Sequence, residues 1–176
     1  IARYAYENKV ASEAMVIETV AGPVPAWRLD RQQYKVTLNP PTVAKFDQPF
    51  ADREVPVVDY IELGDPGIPH AVVKYPGLQE TSLDTLTDLA KRIRYLSAFP
   101  KGANVNFYDV DSAGELVVRT YERGVEGFTY ACGTGSGATA YVVARRREQT
   151  QANLVLHVLG GKLQVEVVSE ELQLIG

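Results

Sequence analysis

A chain of 176 residues, 45% of them apolar, can bury one real core, which excludes a disordered chain and leaves room for one domain or one plus part of another. A net charge of −4 with no reversing run of Lys and Arg disfavours nucleic acid and anionic membrane as partners. The single cysteine excludes an internal disulfide, a dithiol redox pair and a cysteine-rich zinc site, and no apolar run is long enough to span a bilayer, so the reducing cytoplasm is the expected compartment.

Ile1 to Lys9 reads as the tail of a helix with no N-cap before it. Glu13 to Val20 alternates as a strand, and Ala21-Gly22-Pro23 ends it. Ala26 to Leu29 and Gln33 to Leu38 read as short strands, and Asn39-Pro40-Pro41 breaks the pattern. Residues 42–55 are polar and aperiodic, which predicts a domain boundary near residues 45–52. Pro56 to Leu63 and His70 to Lys74 read as strands flanking a Gly/Pro-rich loop over residues 64–69. Thr81 or Ser82 caps a predicted helix from Leu83 to Ala98, whose Leu83, Leu86, Leu89, Ala90, Ile93 and Leu96 recur at helical spacing. Asn104 to Val110, Gly114 to Tyr121 and Glu126 to Tyr130 look like strands. Cys132 to Glu148 reads as a turn and a helix, ending in Arg145-Arg146-Arg147, where cations suit the dipole better than they suggest a binding patch. Ala152 to Leu159 and Lys162 to Ser169 form a predicted hairpin across Gly160-Gly161. Runs of strands with two or three helices indicate the α+β class. Residues 1–6 also faintly echo residues 139–144 as small, Tyr-containing amphipathic turns.

The chemistry gathers around Cys132, which opens the glycine-rich segment Gly133-Thr134-Gly135-Ser136-Gly137 ahead of an apolar helical run. A sulfur at a helix N-terminus meets orphan N–H groups and the positive end of the macrodipole, so a thiolate-favouring site is expected. The amides of Gly133 and Thr134 can hold a carboxylate, and glycine lets it come close. The plain alternative is a small buried apolar cysteine. An acid/base thiol beside a carboxylate cradle suits proton exchange at the α-carbon of an amino acid. Glu122 and Arg123 end a strand; they either tune the thiol and grip a substrate carboxylate, or form a surface ion pair. His70 at a strand start either polarises or deprotonates a thiol as a neutral imidazole, or is a satisfied structural histidine. His157, in an alternating strand, reads as structural, and two distant histidines with one cysteine make no metal set. Asn104 and Asn106 beside a turn either contact a zwitterion or cap that turn.

Taken together, Pro69-His70-Ala71-Val72, Phe99-Pro100 through Asn104-Val105-Asn106-Phe107, Arg119 through Val125, Ala131 through Gly135 and Gly160-Gly161-Lys162-Leu163 resemble the diaminopimelate epimerase family, cofactor-independent isomerases with two cysteines. The resemblance implies two pseudo-symmetric lobes, each a β-rich shell around a central helix, with the active site between them. Residues 1–48 would be the remainder of the first lobe, and residues 49–176 the second lobe, the last residues returning toward the first. Cys132 would be one of two catalytic cysteines, with Glu122 and His70 activating the thiols. Gly133 and Thr134 would hold the reacting carboxylate, and Arg123 and Asn104 the distal end of the substrate. The implied partner is a small amino acid, first LL-/meso-diaminopimelate on the way to lysine and cell-wall precursors, with no metal and no cofactor. A homodimer is carried as an open expectation. Alternatives are a racemase of another amino acid, such as histidine, or a noncatalytic ligand-binding domain of the same fold.

Three departures accompany the resemblance. The family's first cysteine, in a Cys-Gly-Asn-Gly turn, is expected just before Ile1, and its closing segment after Gly176, so residues 1–176 alone are expected to be inactive. Ile68 stands where an asparagine of the Gly-Asn-Pro-His pattern would meet the distal amino-acid group. Val125-Glu126-Gly127-Phe128-Thr129 is one residue longer than the usual turn.

Overall fold

The structure, a computed structural model, describes residues 1–53 and 55–176. Among them, twelve strands join in one sheet, and the class is α+β as expected. Helix α1 (Ala2–Glu7) precedes the antiparallel ladder β1 (Ala14–Thr19), β2 (Gly22–Arg28) and β3 (Tyr34–Leu38). Tyr34, Ala26 and Ala2 form a small core of their own beneath this ladder.

Up to Pro49, the stretch expected to be featureless is ordered as a strand. Pro41–Pro49 form β4, paired with β5 (Val57–Leu63). Register shifts at Pro41/Val43 and Lys45/Gln48 break the period-two alternation, which is why the strand reads as aperiodic. Asp47 sits in the second irregularity with φ of 53°.

β5, β6 (Ile68–Lys74), β7 (Asn104–Val110) and β8 (Leu116–Glu122) lie side by side, with β6 and β7 parallel. Ile61, Leu63, Val72, Leu116 and Val118 join a core around α3 (Gly133–Arg146). Tyr60, Ala71, Val73, Val105, Phe107, Val117 and Tyr121 join another with α2 (Leu83–Arg94). Both faces of these strands are therefore covered, which explains their nearly continuous apolar runs. In α2, Ser82 Oγ accepts the Thr85 N–H at 3.2 Å, as its capping position predicts. That helix ends at Arg94 rather than at Ala98, because the Arg94 carbonyl is claimed by the Ala103 N–H at 3.3 Å.

Every residue of α3 from Gly135 to Ala144 is buried. The sheet continues through β10 (Gln151–Val158), β11 (Gly161–Val168) and β12 (Glu171–Ile175), and β9 (Gly127–Thr129) pairs off β8. The β10–β11 turn is Leu159-Gly160, one residue earlier than expected, with the register closing at Val158 and Gly161. β12 was not foreseen, since a five-residue strand behind a Ser-Glu turn carries little periodic signal. It lies between β11 and β3 and so completes the order β1-β2-β3-β12-β11-β10-β8-β7-β6-β5-β4.

Candidate active site

Cys132 is the N-cap of α3, half-buried, with its Sγ accepting the Gly135 N–H at 3.3 Å and lying 3.7 Å from Thr134 Oγ1. The expected thiolate preference is overturned. Burial pushes the thiol above the ordinary cysteine range; the Gly135 N–H and the Thr134 hydroxyl pull it back, and the nearby Glu122 carboxylate pushes it up again. The helix end is outweighed because the sulfur is partly withdrawn from water and faces an anion. Cys132 therefore rests as a thiol.

Glu122 ends β8 opposite Gly127 of β9, and its Oε1 accepts the Thr129 hydroxyl at 2.6 Å. The same carboxylate acts electrostatically on the Cys132 thiol. The longer turn before Cys132 has an internal anchor that sequence inspection missed. Glu126 adopts φ of 57°, and its Oε1 accepts the Gly124 N–H at 3.0 Å and Arg94 Nη2 at 2.9 Å. Just before Cys132, the Tyr130 carbonyl accepts the Gly160 N–H at 2.7 Å. A Cβ at Gly160 would lie 3.1 Å from that carbonyl oxygen, so a glycine lets the hairpin turn approach the thiol segment without displacing it.

Gly133 and Thr134 are the first two residues of α3, where the helix ladder leaves N–H groups unpaired. A cavity of about 290 Å³ bordered by Thr134, Ile17, Val24, Val36 and Leu38 opens beside them. A Cβ at Gly135 would overlap Asn106 Oδ1. Asn106 is fully buried, and its Nδ2 lies 3.2 Å from His70 Nδ1. His70 is fully buried as well, and its Nε2 has no partner among the described residues; Ser136 Oγ shares that condition. Burial and the Arg123 guanidinium lower the His70 imidazole to about 3, so it is neutral.

Asn104 is buried and bound to backbone on both sides. Its Nδ2 donates to the Pro69 carbonyl at 3.2 Å, and its Oδ1 accepts the Arg123 N–H at 2.9 Å. The Arg123 side chain is exposed and donates to the Lys101 carbonyl at 2.9 Å, so the ion pair with Glu122 considered from sequence is not formed. Glu62, which no sequence pattern marked, stands near this group. Its carboxylate accepts Tyr60 Oη at 2.6 Å and Lys101 Nζ at 2.9 Å, and a Cβ at Gly67 would overlap it. Ile68 is 36% exposed at the start of β6 and brings no polar atom to the loop.

Two features lie apart. Asp111, Glu115 and His157 place ligand atoms within 4.8 Å of one another, but Lys162 Nζ, 3.2 Å from Glu115 Oε2, already meets that carboxylate. At the far end of α3, a cavity of about 410 Å³ is walled by Tyr108, Val143 and Arg146, whose guanidinium grips buried Asp59 at 2.6 and 2.9 Å. No described helix is long and apolar enough to cross a membrane.

Residues 64–175 match the family model described as diaminopimelate epimerase. The chain belongs to the diaminopimelate epimerase family. It is 38% identical over 147 residues to the diaminopimelate epimerase of Hydrogenobaculum sp. (strain Y04AAS1), covering 78% of this chain and 49% of that protein. It is 36% identical over 180 residues to that of Methanothrix thermoacetophila, covering 97% and 62%. The chain thus spans about half to two thirds of the length of these relatives. A probable proline racemase from Agrobacterium radiobacter K84 shares the fold, with a TM-score of 0.69 at 20% identity over 99% of this chain and 62% of that one. At the start of α3, Cys132 meets Thr134 and the Gly135 N–H, Gly135 lies against Asn106, and Asn106 meets His70, while Glu122 acts electrostatically on the thiol. Arg123 and Asn104 form a neighbouring group with Lys101 and Glu62.

Proposed function

We propose that the complete protein is a pyridoxal-independent isomerase that inverts the α-carbon of an amino acid, with LL-/meso-diaminopimelate as its substrate. The observation that carries this reading is the Cys132 thiol capping a helix N-terminus whose first amides are unspent, with the Glu122 carboxylate acting on it. The Gly133 and Thr134 N–H groups would hold the reacting carboxylate, where negative charge grows as the α-proton leaves. Cys132 would exchange protons with one face of the carbon, and a second thiol from the rest of the protein with the other. One sulfur gains the proton that the substrate loses, and the other gives up its own, so the two thiols end with their protonation states exchanged. Glu122 would accept the Cys132 proton when the thiolate is required.

At the distal end, Arg123 and Asn104, joined by Lys101 and Glu62, would meet a zwitterionic amino-acid group. Here Glu62 would offer a polar partner in place of the contact that Ile68 cannot make. Ile68 also favours a second reading, in which another amino acid is the substrate. Residues 1–48 and 49–176 are read as successive lobes; the separate small core under β1–β3 supports a distinct first unit, while β4 pairs with β5 and packs with the second. The edge strands β1 and β4 leave surface for association of two copies into a homodimer.

The complete protein should exchange the α-proton of LL-diaminopimelate into deuterated solvent. Cys132→Ser should slow that exchange roughly 10²- to 10⁴-fold. Unchanged exchange in the variant would remove Cys132 from the chemistry. Exchange confined to another amino acid in a panel would transfer the assignment to that substrate.

A further inference from the structure

We propose that Asn106 is a positioning residue that holds His70 as the neutral Nε2–H tautomer, so that His70 serves the site as a hydrogen-bond donor and not as a proton acceptor. The orientation of the Asn106 amide decides the matter. The terminal atom that faces His70 Nδ1 at 3.2 Å also lies 3.2 Å from the Ala71 carbonyl oxygen and 3.5 Å from the Asn104 carbonyl oxygen. Two carbonyl oxygens can share a donor but would repel an oxygen, so this atom is the nitrogen. The other end, Oδ1, accepts the Thr120 hydroxyl at 3.0 Å, consistent with that orientation. An amide N–H aimed at Nδ1 requires a lone pair there. The ring proton must then sit on Nε2.

An imidazolium carries N–H groups on both nitrogens and would set Nδ1–H against the Asn106 amide hydrogens. Burial and the Arg123 charge act in the same direction. Arg123 is the charged group that acts on the ring, and the side chains from β7 that approach it are neutral amides. A neutral Nε2–H with no partner among the described residues is a donor awaiting an acceptor. The inference rests on the isomerase reading for the identity of that acceptor: a thiolate or a substrate oxygen. The hydrogen bond would stabilise the anion while no bond at His70 breaks, and the thiol's proton would pass to the substrate carbon instead. Gly135 belongs to the same device. Any side chain there would press on Asn106 Oδ1, so the glycine turn that bears Cys132 leaves the room that the tautomer lock needs.

The test uses the complete protein carrying ¹⁵N-histidine, with the His70 signals assigned by their loss in a His70→Gln variant. Long-range proton–nitrogen correlations should show His70 as Nε2–H, unchanged between roughly pH 5 and pH 8. An Nδ1–H pattern, or an imidazolium growing in over that range, would overturn the proposal. Asn106→Asp replaces the donor with an acceptor for Nδ1–H. It should make His70 titrate near its ordinary pKa of about 6.5 and add an acid limb to the pH profile of kcat/KM. An unaltered tautomer and profile in that variant would remove Asn106 from the role, and if the variant does not fold, the parent spectrum decides alone. The tautomer is read without substrate, so a protein that racemises nothing would overturn the isomerase reading while leaving this result standing.

Discussion

Cys132 sits under opposing influences, and their balance is measurable. Burial and Glu122 raise the thiol, while Gly135 N–H and Thr134 lower it. Neutralising Glu122 removes one of the raising influences, so Glu122→Gln should lower the pKa and enlarge the thiolate fraction at neutral pH. Iodoacetamide should then modify Cys132 roughly three- to tenfold faster in the variant at pH 7, the gain being tempered because a less basic thiolate is a weaker nucleophile. An equal or slower rate would show that Glu122 does not act on the sulfur. The placement of Cys132, Gly133 and Thr134 at the start of a helix was legible in the sequence, because clustered glycines ahead of an apolar run mark a turn into a helix. The protonation state was not, because it depends on burial and on a carboxylate brought in from another strand.

Among the elements, α3 is the one that tolerates least. It is encased along its length, and its small residues allow strands to approach closely. A Cβ at Gly137 would lie 2.5 Å from Leu38 Cδ1, with Leu172 and Leu63 side chains at 3.6 and 3.7 Å. Gly137→Ala gains helix propensity but must displace a packed leucine from β3. A net loss of about 1–3 kcal/mol is expected from urea unfolding, and a stabilised variant would show that β3 yields freely. The extent of α3 and the start of α2 were readable from spacing and from the Ser82 cap. The early end of α2 was not, because the group that takes the Arg94 carbonyl lies nine residues on, at Ala103. β4 escaped notice for a related reason: its bulges spoil the alternation on which strand recognition depends. At the distal group, Glu62 gave no warning, since a carboxylate in an apolar strand acquires meaning only when Tyr60 and Lys101 meet it.

Across the whole molecule, one sheet curves around α3 while α2 covers its outer side, and the candidate site lies where α3 begins. That arrangement brings residues 70, 106, 122 and 132 into one neighbourhood although about a third of the chain separates the first from the last. The class was accessible from the succession of elements, whereas the sheet order was not, because nothing local states that β8 pairs in parallel with β10 or that β12 meets β3.

The placement of β12 has a mechanical corollary. Residues 34–38 and 163–168 never pair directly; the five-residue strand Glu171–Ile175 is the sole ladder between them among the described residues. It works as a keystone. Deleting residues 171–176 should sever the ladder at that point and loosen everything ahead of Asn39, seen as rapid amide exchange and protease cleavage within the first 38 residues while the segment around α2 stays protected. Uniform protection after the deletion would mean that side-chain packing alone moors the opening strands.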